Sequence, residues 1–179
     1  MGDGAARQMS RDFTETAKAI VNHAIWLRGT IITNYAHIEF LLADICVKAW
    51  QKPQYRHLSA SFPYKTETRI KAVRELFDAE GPLKKHRSGV DPALDELLNF
   101  EELRHFIAHG LMIVTPYPDD PRLEYRLYQT KKQGYSISFK EITASELADL
   151  SNRIAELQTQ LLASFRAIYL ELKLEFDDN

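Results

Sequence analysis

The sequence predicts a mainly α protein: an up-and-down bundle of four to five helices, with a small β-hairpin inserted before a long C-terminal helix. Three observations carry that expectation. Apolar residues recur at helical spacing from Asp12 to about Gln51, and again from Leu147 to Leu172. Glycine and proline punctuation at Pro53, Gly81-Pro82, Asp91-Pro92 and Gly110 cuts the intervening chain into helix-length pieces. On either side of Lys131-Lys132-Gln133-Gly134 the hydrophobic period changes to two, as two strands joined by a turn require.

Residues 1–10 are small and polar and read as a flexible tail; residues 11–179 read as one helical domain. The first helix, Asp12 to about Gln51, is expected to be nearly continuous, with a bend at Gly29-Thr30, and Pro53 closes it. A loop over Gln54–Tyr64 leads to a second helix from Thr66 to Ala79, with Ile70, Val73, Leu76 and Phe77 inward. Asp91-Pro92 reads as an N-cap with proline at the first helical position, opening a third helix that runs to His109. Leu111–Val114 is short and apolar, and Pro116, Pro118 and Pro121 exclude a helix beyond it. The hairpin spans about 122–142. Thr143-Ala144-Ser145-Glu146 matches the capping box and starts the last helix, which extends to about Leu174.

The 179-residue chain, 45% hydrophobic and 27% charged, has the composition of a globular protein and a formal net charge of -2. That balance exerts no global pull on nucleic acid, so any RNA contact must be local. Cys46 is the single cysteine and sits in an apolar helical pattern, which excludes a disulfide framework. No continuous apolar run nears the ~20 residues of a bilayer span. The start MGDGAARQ lacks a signal-peptide core, so the expected compartment is the cytoplasm, with no membrane partner.

The chemistry concentrates in Leu103-Arg104-His105-Phe106-Ile107-Ala108-His109-Gly110. An arginine fork suits phosphate oxygens, and an imidazole titrating near neutrality can take or give a proton during phosphodiester cleavage. Arg104 and His109 lie about 140° apart around a helix, while His105 and His109 share a face. The partial negative charge at a helix C-terminus favours imidazolium at His109, hence a general acid. Two other readings fit the same residues. In one, His109 caps the helix carbonyls and Arg104 pairs with Glu101 or Glu102. In the other, His105 and His109 have the i, i+4 spacing of zinc ligands, without the glutamate of the metalloprotease motif or a third ligand nearby in sequence.

Arg104-His105-Phe106-Ile107-Ala108-His109 resembles the Arg-x4–6-His motif of the HEPN superfamily (higher eukaryotes and prokaryotes nucleotide-binding domains). The motif context LNFEELRHFIAHGLMIV is similar to the motif helix of that family, and IITNYAHIEFLLADIC to its first core helix. The resemblance covers about residues 12–174. It implies a homodimer whose motif helices face each other across a cleft, and RNA cleavage without metal or cofactor, the 2′-hydroxyl attacking to leave a cyclic phosphate. Arg104 and His109 would then be the catalytic pair and His105 the supporting polar residue. A toxin or defence role, with a neutralising protein partner, is the corresponding biological expectation. The family also contains inactive modules that bind nucleotide, RNA or protein.

Further residues invite roles around that motif. Lys84, Lys85 and Arg87, with Lys65 and Arg69, can form a basic rim for an RNA backbone or simply a solvated surface. Glu39, amid apolar neighbours on the first helix, can orient a motif residue or belong to a structural ion pair. Tyr125, Tyr128, Tyr135 and Phe139 on the hairpin can stack on bases or pack across strands.

Overall fold

The computed structural model describes residues 3–59, 63, 65–115, 120–132 and 134–174. Among these the order is α1 (Asp3–Trp50), α2 (Thr66–Asp78), α3 (Arg87–Asn99), α4 (Glu101–His109), β1 (Leu111–Thr115), β2 (Arg122–Lys131), β3 (Gly134–Thr143) and α5 (Ala144–Leu172), with 3-10 turns at Arg56–Leu58 and Lys84–His86. The protein is mainly α, with a small antiparallel sheet before its long last helix, as the hydrophobic periods predict.

Local chemistry accounts for where the elements depart from the sequence reading. α1 starts at Asp3, inside the segment read as a tail, where Ala5, Ala6, Arg7 and Gln8 are good helix formers. It continues without interruption through Gly29, beside which a side chain would meet open space. The helix expected over 92–109 is two helices, parted at Phe100, whose N–H turns back to the Leu97 carbonyl at 3.3 Å. Glu101 opens the second of them and accepts a hydrogen bond from Tyr35 Oη at 2.6 Å. Asp91-Pro92 lies inside α3 rather than at its start. The Asp91 carboxylate meets Arg87 Nε at 2.9 Å and Arg74 Nε at 3.2 Å, so it serves ion pairs instead of a cap.

The expected hairpin is a three-stranded meander in the order β1-β2-β3. Leu111–Thr115, read only as short and apolar, pairs antiparallel with β2, Leu111 opposite Arg126. Gly134 makes the β2–β3 turn at a φ of 97°, a region that suits glycine. The capping box forms as expected: Glu146 N–H donates to Thr143 Oγ1 at 3.1 Å, and Thr143 N–H donates to the Glu146 carboxylate at 2.7 Å.

The chain divides into two compact units. The first comprises Met1–Ile32 and Leu103–Arg153, and the second Thr33–Glu102 and Ile154–Asn179. In the first, one sheet face (Leu123, Tyr125, Leu127 and Ile142) is buried, as are Leu27 and Ile31 of α1 and Phe106 and Ile107 of α4. In the second, Ile38, Leu42 and Ile45 of α1, Val73 and Phe77 of α2, Leu94 and Leu97 of α3 and Leu161 and Phe165 of α5 are buried. Among the described residues, only α1 over Thr14–Trp50 is long and apolar enough to cross a membrane by length and composition, at a mean hydropathy of 1.2. Its buried residues recur every three or four positions, as they do in the core helix of a globular protein.

Candidate active site at the end of α4

All three motif residues lie in the first unit, on the last two turns of α4. Phe106 and Ile107 are buried and fix the rotation of the helix. His105, one position before them, and His109, two after, stand in the i, i+4 relation and are both exposed. Their rings meet edge to face with centroids 5.0 Å apart. Among the described residues, neither imidazole has a hydrogen-bond or carboxylate partner. Arg104 is half-buried on the flank of the same helix, with its Nε out of contact with solvent.

The end of the helix is closed by backbone geometry and by a residue from another element. Gly110 N–H donates to the Phe106 carbonyl at 2.8 Å. A Cβ on residue 110 would lie 2.6 Å from that same carbonyl oxygen and 3.4 Å from Tyr125 Cβ, so only glycine fits. Arg28, on α1, donates through Nη2 to the carbonyls of Ala108 at 3.2 Å and Gly110 at 3.1 Å. A cation on terminal carbonyls satisfies acceptors that have no partner within the helix. The capping role considered for His109 is thus filled by Arg28. Beneath it Tyr125 is buried, its hydroxyl donating to Met112 Sδ at 3.4 Å, and burial pushes its pKa up to about 12.

The other residues singled out in the sequence lie mostly in the second unit, and most are engaged in ion pairs. Glu39 accepts a hydrogen bond from Thr66 Oγ1 at 2.7 Å and lies 3.5 Å from Arg69 Nη1, which brings two of those candidates together. Arg69 also donates to the Pro63 carbonyl at 2.9 Å. In the basic run, Lys84 pairs with Glu80, Lys85 with Glu171, and Arg87 with Asp78 and Asp91. His86 Nε2 is 3.1 Å from the Glu171 carboxylate. The hydrogen bond from Lys85 holds the Glu171 carboxyl below its ordinary range. Lys65 is exposed, immediately before the first residue of α2.

Arg28 is the residue that sequence reasoning missed. Its one signal is position: a cation beside Leu27 of the buried α1 stripe must snorkel along the core edge to reach acceptors. For the metal reading, no group of three or more His, Cys, Asp or Glu side chains suited to hold an ion occurs among the described residues. Tyr125 is buried beneath the sheet, whereas Tyr128, Tyr135 and Phe139 are exposed. In comparisons with known proteins, no family model, curated protein or solved structure matches this chain.

Proposed function

We propose that the protein is a HEPN-like, metal-independent endoribonuclease, acting as a cytoplasmic homodimer with Arg104 and His109 of both subunits at one cleft. The observation that carries this reading is the state of the two imidazoles: exposed, 5.0 Å apart, and relieved of capping duty by Arg28. Arg104 would neutralise a non-bridging phosphate oxygen as negative charge builds on phosphorus. One imidazole would accept the ribose 2′-hydroxyl proton while the 2′-oxygen attacks phosphorus. The 5′-oxygen would then leave with a proton from His109, giving a 2′,3′-cyclic phosphate. His105 would orient and support His109. A toxin or defence role, held in check by a protein partner, is the biological setting that suits such an activity.

Mechanism-specific chemistry tests the reading. An RNA bearing a single 2′-deoxy sugar at its main cleavage position should resist cutting there, and the normal product should end in a cyclic phosphate. Cleavage of the deoxy-substituted bond at an undiminished rate would refute the 2′-hydroxyl route. Of the second reading, a catalytically silent module that binds nucleotide, RNA or protein, the charge pairing favours the protein-binding form. Lys84, Lys85 and Arg87 already hold carboxylates, so they offer phosphate little uncompensated charge.

A further inference from the structure

Towards the β2–β3 turn the outward face of the meander is aromatic and exposed. Alternation along β2 and β3 sends Leu123, Tyr125 and Leu127 inward, leaving Tyr128, Tyr135, Ile137 and Phe139 outside. Tyr128 is 71% exposed, Tyr135 78% and Phe139 59%. The register sets them in rows that start at the motif helix. Leu111, two residues after His109, faces Arg126, which faces Phe139; the next row is Tyr128 with Ile137, and the next Thr130 with Tyr135. Rows two residues apart are about 7 Å apart, a stride that an unstacked single strand can match.

Cross-strand packing does not use these rings up. Tyr128 and Tyr135 meet edge to face at 5.8 Å, yet both keep most of their surface in water. The Arg126 guanidinium lies 5.8 Å from the Phe139 ring centre. Charge is arranged to match. Beside the Leu111 row Arg126 pairs with Glu124, and at the end of β2 that faces Thr115 Arg122 pairs with Glu141, so those cations are compensated. At the far end Lys132, in the turn, is exposed and has no carboxylate partner among the described residues, while Lys131, also exposed, alternates onto the opposite face. Aromatic faces followed by an uncompensated lysine suit alternating bases and phosphates. A purely apolar partner would leave Lys132 and the tyrosine hydroxyls without a counterpart.

We propose that this face, with Tyr128, Tyr135 and Phe139 as stacking platforms and Lys132 at its tip, binds single-stranded RNA leading from the end of α4. The choice of RNA rests on the ribonuclease reading; the stacking surface rests on the sheet. The test uses the whole chain carrying His109→Gln, to prevent cleavage, and a fluorescein-labelled ten-uridine RNA followed by anisotropy. Tyr128→Ala and Tyr135→Ala, both at exposed positions, should each weaken binding about tenfold. Lys132→Gln should reduce the slope of log affinity against log salt by roughly 0.7. Duplex RNA and ten-thymidine DNA should bind more weakly.

Unchanged affinity in the tyrosine variants would overturn the proposal, and equal affinity for the DNA would overturn the assignment to RNA. If those variants instead abolish self-association in sedimentation while RNA affinity holds, the face belongs to a second copy and the proposal fails. Cleavage by the wild type, assayed separately, keeps the two readings apart. Tyrosine-dependent RNA binding without cleavage removes the nuclease and keeps the platform. Cleavage with tyrosine-independent binding does the reverse.

Discussion

Replacing Arg28 by methionine keeps an unbranched apolar stem and removes the guanidinium that closes α4. Its Nη2 spans two carbonyls at 3.1 and 3.2 Å, those of Gly110 and Ala108. Hydrogen bonds from a charged donor contribute about 1.5–3 kcal/mol each. One nitrogen shared between two rather long contacts belongs at the lower end, about 3 kcal/mol for the pair. For a chain of this size that corresponds to a fall in melting temperature of roughly 6–12 °C. Thermal unfolding followed by circular dichroism measures it directly. Arg28→Lys retains the charge but not the fork, and should recover at most about half of the loss. A melting temperature for Arg28→Met within about 2 °C of the wild type would refute the claim that Arg28 secures the end of the motif helix.

Gly110→Ala forces a Cβ to 2.6 Å from the Phe106 carbonyl oxygen, a backbone atom that cannot swing aside; a loss of about 1–3 kcal/mol in urea unfolding is expected, and a neutral result would contradict the geometry. Asp91 gives a prediction in pH. Burial works to raise its carboxyl, but hydrogen bonds from Arg87 and Arg74 outweigh that and hold it below the ordinary range. A depressed carboxylate stabilises the fold above its unfolded pKa, and that contribution fades as pH falls through the lowered value. The stability gap between wild type and Asp91→Asn should therefore be full at pH 7 and close below about pH 4. A gap that stays constant down to pH 2 would contradict the ion-pair account.

Much of the fold is legible in the sequence because its signals are local or strictly periodic. The α1 and α5 stripes, the Thr143–Glu146 capping box and the alternation of β2 and β3 each needed only a window of residues. The misreadings came from competition between sites distant in sequence. Asp91-Pro92 carries a helix-start signature, yet Arg74, seventeen residues away, and Arg87 hold the carboxylate, and α3 begins a turn earlier. Leu111–Thr115 is too short to announce itself as a strand and becomes one because β2 offers it an edge. At the site, Arg104, His105 and His109 were visible because they fall within six consecutive residues, and Gly110 because it ends a helix. Arg28 was hidden, since its acceptors are backbone carbonyls 80 and 82 residues away. The same applies to Glu39, whose engagement by Thr66 and Arg69 depends on how α1 and α2 pack.

The central claim, that Arg104 and His109 cleave RNA without metal, is tested most directly by incubating mixed RNAs in EDTA with wild type, Arg104→Ala and His109→Ala, purified identically. The account predicts degradation by the wild type and a loss of at least about a hundredfold in both variants, the scale of one general-acid or electrostatic contribution. Equal degradation by all three proteins, or activity that disappears from the wild type in EDTA, would contradict it.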